Sequence, residues 1–205
     1  MTLDQFRPLA EKGLSPFVRA ADALGLSPDG VSVLAFACAV AAGIAFGLAP
    51  PSEAPLSYVA GSALVFANGW LDLVDGALAR AQGTDSSGGD LLDHVLDRYA
   101  DIAVLVGLAA GIGRYGLGLA AVTGVLMTSY LGTQIQAVGI GREYGGLLGR
   151  ADRLALVGVV GVVAAAVPGP LVGGLSAVAL LLAVFAVVGH FTAVQRFWGA
   201  WTDIR

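Results

Sequence analysis

The chain contains six long, mainly apolar segments, separated by short connections that hold glycine, proline or charged residues. Several of these segments approach or exceed the roughly 18 residues that a helix needs to cross a bilayer. Hydrophobic residues make up 57% of the chain and charged residues 13%, so a soluble domain would leave most of the sequence unexplained. We therefore predict an all-α fold, a six-transmembrane-helix bundle within residues 27–200, with segments near 31–48, 56–80, 89–113, 117–136, 154–167 and 171–196.

Residues 1–26 precede the bundle and show a different pattern. Apolar residues recur there at mostly three- and four-residue spacing, with basic residues between them, which is typical of an amphipathic helix at a membrane surface. Two prolines and a glycine predict a break or kink in this helix, and an ordinary tail is the alternative. The apolar positions are Leu3, Phe6, Ala10, Leu14, Phe17, Ala21 and Leu24, and the interruptions are Pro8, Gly13 and Pro16. We expect residues 1–205 to form one membrane domain.

Basic residues indicate the orientation of the bundle in the cell membrane. If the segments alternate in direction, the basic residues that flank them fall on one side, and only Arg114 falls on the other. The flanking residues are Arg7, Lys12, Arg19, Arg80, Arg142, Arg150, Arg153, Arg196 and Arg205. We therefore expect both termini to be cytoplasmic. A net charge of −4 with a single lysine argues against a nucleic-acid-binding surface.

Seven of the fifteen acidic residues lie between positions 72 and 101. Two of them, Asp72 and Asp75, are three residues apart, and another two, Asp93 and Asp97, are four apart, so each pair lies on one helix face. At membrane depth an unpaired carboxylate costs several kcal/mol, so a positive partner is required. The pattern predicts two helix faces that present four carboxylates to a shared cation.

Carboxylate oxygens without a cluster of His or Cys favour a hard cation such as Mg²⁺ or Mn²⁺. Cys38 is the only cysteine, and His94 lies one position off the face of Asp93 and Asp97. Because Mg²⁺ shares its coordination shell with substrate phosphates, a diphosphate substrate fits this site. The alternative is that the aspartates are solvated or cap helices, which suits Asp85 and Asp90.

The cluster follows a longer pattern: DLVDGALAR at residues 72–80, then eight residues, Gly89, three residues, Asp93, three residues and Asp97. This pattern resembles the signature of the CDP-alcohol phosphotransferases, integral-membrane enzymes of phospholipid synthesis. The resemblance implies two divalent ions, Mg²⁺ or Mn²⁺, held by Asp72, Asp75, Asp93 and Asp97, with Asp97 also the general base. It further implies that the nucleotide and its phosphates contact Gly76, Ala79, Arg80, Asp29 and Ser32.

The resemblance also implies a reaction. A lipid phosphate is transferred from a CDP-alcohol, of the CDP-diacylglycerol or CDP-archaeol type, to a small alcohol, and CMP is released. The expected acceptor is a phosphorylated polyol, glycerol phosphate or inositol phosphate, and the expected assembly is a homodimer. A free alcohol such as inositol or serine is the alternative acceptor. Two other classes of protein are alternatives to this enzyme: an intramembrane prenyltransferase and an ion-coupled transporter. In a transporter the acidic residues should be spread over both halves of the chain.

Three arginines are candidates for binding an acceptor phosphate, by resemblance to relatives that use inositol phosphate: Arg150, Arg153 and Arg196. Arginines that converge from separate helices supply paired donors to phosphate oxygens. The alternative is that they are flanking charges of a positive cytoplasmic side. Gly132 and Gln134 stand where those relatives carry a lysine and an arginine, which weakens the assignment to inositol phosphate.

Overall fold

The computed structural model describes residues 7–141 and 148–204, with side chains from residue 13 onward in the first helix. Residues 1–6, Arg142 and Arg205, which the sequence analysis used, lie outside the described residues. The described part is almost entirely helical. Its elements are α1 (Arg7–Ala23), α2 (Pro28–Gly47), α3 (Pro55–Gln82), α4 (Ser87–Gly111), α5 (Tyr115–Ala137), α6 (Arg150–Ala166), β1 (Pro170–Val172), β2 (Leu175–Ser176) and α7 (Ala177–Ile204).

Local signals set the helix ends nearest the aspartate cluster. Ser27 caps α2 by accepting a hydrogen bond from the Gly30 amide, and Pro28 occupies the first turn, where its missing N–H costs nothing. Helix α3 ends at Gly83, whose φ of 62° is a left-handed conformation that glycine adopts without strain. Ser86 then caps α4 through the Gly89 amide at 3.1 Å. The aspartates therefore lie near the facing ends of α3 and α4.

Glycines allow two pairs of helices to approach closely. Helix α2 packs between α3 and α4, and a Cβ on Gly107 of α4 would lie 2.6 Å from the Cα of Gly43 in α2. In the other half, a Cβ on Gly189 of α7 would lie 2.6 Å from the carbonyl carbon of Gly124 in α5. Small residues at such crossings let backbones touch, which is how membrane helices gain packing energy without a hydrophobic driving force.

The sequence predicted a break or kink in the N-terminal helix. A break is wrong for the described residues, because α1 continues through Gly13 and Pro16. Pro16 removes one backbone hydrogen bond, but its side chain is exposed and makes no steric demand on the bundle. The opposite face of α1 buries Leu14 and Ala21 against α2 and α3. This packing offsets the lost hydrogen bond, so the helix remains continuous.

The predicted start of the last segment near residue 171 is also wrong. A two-stranded hairpin, β1–β2, precedes α7, which begins at Ala177 and continues past residue 196 to Ile204. Gly173 and Gly174 have φ values of 57° and 77°, and positive φ at both central residues is the requirement of a tight hairpin turn. Apolar composition alone did not distinguish these short strands from a helical turn.

Three helices among the described residues are long and apolar enough to cross a membrane: α2, α5 and α7. Helices α3 and α4 carry the aspartates and arginines, and α6 has 17 residues. The all-helical bundle is therefore confirmed, while the count of six spans stays a prediction.

Candidate active site

Three of the predicted aspartates meet near the facing ends of α3 and α4. Asp72 and Asp75 of α3 and Asp93 of α4 each place a carboxylate oxygen within 4.8 Å of the other two. The three- and four-residue spacings bring these groups together because α3 and α4 both flank α2. Asp97 lies one turn further along α4 and joins this group through an arginine.

Arg150, at the start of α6, contacts aspartates of both α3 and α4. Its Nη1 lies 2.7 Å from Asp72 Oδ2, and its Nη2 lies 2.6 Å from Asp97 Oδ1. The guanidinium supplies the positive partner that the clustered carboxylates require. The structure therefore places Arg150 at the aspartates, whereas the sequence analysis assigned it to an acceptor phosphate.

Asp75 is held on its other side by Ser32. The Ser32 hydroxyl donates a hydrogen bond of 2.6 Å to Asp75 Oδ2, and the Gly76 amide lies 2.6 Å from Asp75 Oδ1. Both side chains are buried, with 8% of Ser32 and 6% of Asp75 exposed. One carboxylate of the cluster is thus fixed by α2 before any ion binds, so its orientation does not depend on solvent.

The donor set fits a hard divalent cation. The converging ligand atoms are carboxylate oxygens, which Mg²⁺ and Mn²⁺ prefer. His94 does not join them: its Nδ1 lies 2.8 Å from the carbonyl oxygen of Asp90 and 4.0 Å from the nearer carboxylate oxygen of Asp93. Asp97 lies outside this group of three, with its Oδ1 on Arg150, so its roles as metal ligand and general base stay predictions.

The residues predicted to contact the nucleotide lie on α2 and α3, and two of them, Ser32 and Gly76, contact Asp75 directly. A Cβ on Gly89 would lie 3.3 Å from Asp29 Oδ1, so the first turns of α2 and α4 touch at a signature glycine. Gly76 and Ala79 are half-buried on α3, and Arg80 is exposed one position beyond. The small residue at 89 thus allows α2 and α4 to approach closely beside Asp29.

One of the predicted acceptor-binding arginines lines a small cavity between α5, α6 and α7, and another lies beside it. Arg153 lines this cavity together with Thr128 and Thr192. Arg196 of α7 donates a hydrogen bond of 2.6 Å from Nη1 to the carbonyl oxygen of Thr128. Arg153 and Arg196 therefore both lie beside Thr128, while their role at an acceptor phosphate stays a prediction.

Sequence reasoning missed the residues that connect these two regions. Asp101 was counted in the acidic cluster but received no role, although its position four residues after Asp97 was an available signal. Arg98 and Thr128 received none either. A threonine within an apolar helix carries no signal, since most such residues bond to their own helix, as Thr128 Oγ1 also does to Gly124 O at 3.0 Å.

The family model for CDP-alcohol phosphatidyltransferases matches residues 26–202. The chain belongs to this family and is a transferase. The predictions of a CDP-alcohol-dependent enzyme of phospholipid synthesis and of a divalent-metal cofactor are thereby confirmed. Family membership also removes the prenyltransferase and the transporter from consideration.

Named relatives narrow the comparison. The chain is 33% identical to the archaetidylinositol phosphate synthase of Methanothermobacter thermautotrophicus, over 99% of this chain and 96% of that protein. It is 32% identical to the phosphatidylinositol phosphate synthase of Mycobacterium bovis, over 92% of this chain and 86% of that one.

Solved structures of a phosphatidylinositol phosphate synthase are similar to this one. The Mycobacterium tuberculosis phosphatidylinositol phosphate synthase in complex with manganese and citrate superposes with a TM-score of 0.76 at 27% identity, covering 92% of this chain and 89% of that one. The same enzyme with CDP-DAG bound gives a TM-score of 0.74 at 28% identity, covering 92% and 94%. The fold is therefore similar to that of enzyme states carrying either a metal or a CDP-linked lipid.

Proposed function

We propose that this transferase uses a phosphorylated polyol as acceptor, with inositol phosphate as the preferred one. The observation that carries this proposal is that Arg153 and Arg196 both lie beside Thr128. Arg153 lines a cavity with Thr128, and Arg196 donates a hydrogen bond to the Thr128 carbonyl oxygen. Guanidinium groups from two helices are suited to holding a phosphate. Relatives in two domains of life are named for inositol phosphate products, which supports the same acceptor. Gly132 and Gln134 depart from those relatives, so the arginines carry more of the binding here.

We assign Asp72, Asp75, Asp93 and Asp97 to two divalent ions, which when bound would neutralise the charge of the donor's diphosphate. Gly76, Ala79, Arg80, Asp29 and Ser32 form the nucleotide side, with Ser32 acting mainly through Asp75. Arg150 belongs to the cluster itself in this arrangement, since both of its terminal nitrogens lie on signature carboxylates.

Asp97 takes the proton from the acceptor hydroxyl. The hydroxyl oxygen forms a bond to the phosphorus that carries the lipid, and the bond between that phosphorus and the oxygen bridging to CMP breaks. CMP leaves with that oxygen and its electron pair, and the lipid phosphate is now a diester with the acceptor. Arg153 and Arg196 bind the acceptor's own phosphate and so orient its hydroxyl toward the donor.

We further propose the membrane arrangement of a single domain spanning residues 1–205. Helices α2–α7 cross the membrane, α1 lies at its surface, and both termini and the aspartate cluster face the cytoplasm. The charges of the connections support this sidedness, because basic residues lie at one end of the bundle. The protein forms a homodimer in the membrane, as the family resemblance implies, and the mass of the detergent-purified particle tests that.

The acceptor proposal is tested by incubating purified protein with Mg²⁺, a CDP-linked lipid and one acceptor at a time. CDP-diacylglycerol and CDP-archaeol are used in parallel, with glycerol phosphate, inositol phosphate, inositol and serine as acceptors. We expect CMP release to be fastest with inositol phosphate and to stop in EDTA. Release that is faster with inositol or serine than with either phosphorylated acceptor would overturn the proposal.

A further inference from the structure

Asp101 is a buried carboxylate that the family signature does not include. It lies one turn beyond Asp97 on α4, about 6 Å further along the helix axis at 1.5 Å per residue. Only 7% of the residue is exposed. A carboxylate so deep in an apolar bundle is costly unless it is paired, so its partners indicate what it does.

Its principal partner is Arg153 of α6. Arg153 Nη2 donates to Asp101 Oδ2 at 3.2 Å, and Arg153 is itself only 8% exposed. This is the pair that ties the buried face of α4 to the start of α6. A buried pair of this kind holds a long, flexible arginine in one conformation.

Arg153 is not fully occupied by this pair. Its Nε is buried and has no hydrogen-bond partner among the described residues. The residue lines the cavity that contains Thr128 and Thr192, and also a neighbouring cavity that contains Asn68 and Asp101. One edge of the guanidinium is thus taken by Asp101, while further donors remain for a ligand.

Asp101 also reaches back toward the aspartate cluster. Arg98 Nη2 lies 3.5 Å from Asp97 Oδ2 and 3.8 Å from Asp101 Oδ2. Carboxylates and guanidinium groups therefore alternate from the aspartate cluster to the acceptor cavity. The order of charges is Asp72, Arg150, Asp97, Arg98, Asp101 and Arg153.

We propose that Asp101 is a positioning residue, which holds Arg153 in the orientation that binds the acceptor phosphate. The inference rests on the proposed function of the Arg153 cavity. Two effects of Asp101 oppose each other: its negative charge weakens the attraction of the cavity for phosphate, and its hydrogen bond orients the guanidinium. Orientation dominates, because without this bond the long, flexible Arg153 side chain would no longer be held in one conformation.

The test uses Asp101→Asn, Arg153→Gln and the double variant of the full-length protein, assayed for CMP release with inositol phosphate and, in parallel, glycerol phosphate. We expect Asp101→Asn to raise the KM for the phosphorylated acceptor about tenfold, equivalent to about 1.4 kcal/mol of binding free energy. The KM for the CDP-linked lipid should stay within about twofold of the wild type. Titration calorimetry with inositol phosphate alone should show the same weakening without turnover.

The double variant decides whether Asp101 acts through Arg153. If it does, adding Asp101→Asn to Arg153→Gln changes the acceptor KM no further. The double variant also removes both buried charges, so it remains informative where Asp101→Asn alone folds poorly. Asp101→Glu keeps the charge and should restore part of the affinity. Val104→Ala is the control for loss of packing. Val104 lies one turn after Asp101 on α4 and lines the neighbouring cavity that contains Asn68 and Asp101.

Four results would overturn the inference. An unchanged or lowered acceptor KM in Asp101→Asn would show that orientation is not its role. Equal increases in the KM of both substrates, or a matching effect of Val104→Ala, would indicate a purely structural contribution. An additional increase in the double variant over Arg153→Gln would mean that Asp101 acts independently. If Arg153→Gln itself leaves the acceptor KM unchanged, the proposed acceptor site fails as well, which distinguishes the two conclusions.

Discussion

Arg150 of α6 forms an ion pair with Asp97 of α4, with Nη2 and Oδ1 2.6 Å apart. The same guanidinium contacts Asp72 of α3, so one cation joins the two helices that carry the signature. In the absence of divalent ions, this cation is what offsets repulsion within the cluster. Arg150 and a divalent ion therefore stabilise the same carboxylates and should substitute for one another in part.

The first prediction concerns Arg150→Gln. Without the cation, the metal-free protein should lose on the order of 2 kcal/mol, less than a fully buried pair because Asp72 remains partly accessible. Added Mg²⁺ binds only the folded cluster, so it should raise the Tm of the variant more than that of the wild type. Thermal unfolding in detergent, with EDTA or with Mg²⁺, measures both quantities.

The exposed Arg114 at the opposite end of the bundle provides the control for this prediction. Arg114→Gln removes the same charge and should leave the response to Mg²⁺ as in the wild type. If Mg²⁺ raises the Tm of Arg150→Gln and of the wild type by the same amount, Arg150 and the divalent ion do not substitute for one another.

A second prediction concerns the hydrogen bond from Ser32 to Asp75. Ser32→Ala leaves a buried carboxylate oxygen without its donor, and such a bond to a charged group contributes about 1.5–3 kcal/mol. We expect the Mg²⁺ concentration for half-maximal CMP release to rise about tenfold or more. Ser32→Thr keeps the hydroxyl and should stay near the wild type, so a comparable loss in that variant would point to steric damage instead.

Spacing made much of this site predictable. Residues three or four apart on a helix must share a face, so Asp72 with Asp75 and Asp93 with Asp97 required no knowledge of tertiary structure. The helix start at Ser27 was likewise local, since a serine hydroxyl and an amide three residues later suffice. The start predicted near residue 89 lies at Ser87, with Ser86 as the cap.

Contacts between residues far apart in the sequence could not be predicted from helical spacing. Ser32 lies 43 residues from Asp75, and Asp101 lies 52 from Arg153, so no periodicity links them. The continuous α1 was missed because Pro16 is unfavourable locally, while the burial of Leu14 and Ala21 depends on where α3 lies. Tertiary packing decided both outcomes, and a single sequence does not display it.

The third prediction separates the base from the other aspartates. Asp97→Asn removes the proposed general base, and loss of a general base costs about 10²–10⁴ in rate. We expect CMP release to fall by that factor while the protein remains folded. Asp90→Asn is the matched control, since Asp90 is on the same helix, exposed and beside His94. CMP release by Asp97→Asn at the wild-type rate would remove Asp97 from this role.

The fourth prediction tests the orientation of the bundle. Cys38 is the only cysteine, so Cys38→Ser gives a background without thiols. In that background Asp85→Cys, in the connection after α3, and Glu53→Cys, in the connection after α2, place single thiols at exposed positions on opposite ends. A membrane-impermeant maleimide added to intact cells should label only the cysteine at position 53. Labelling of position 85 alone would reverse the orientation.

The fifth prediction concerns the crossing of α2 and α4. A methyl group on Gly107 would lie 2.6 Å from the Cα of Gly43. This contact is with backbone, so no side-chain rotation can relieve it. Replacing a helical glycine by alanine gains up to about 1 kcal/mol of helix propensity, but overpacking costs about 1–3 kcal/mol. We expect Gly107→Ala to lower the Tm in detergent. Gly199→Ala in α7, where a Cβ meets nothing within 4 Å, should raise it or leave it unchanged. A Gly107→Ala protein as stable as Gly199→Ala would mean that the two helices are not in backbone contact.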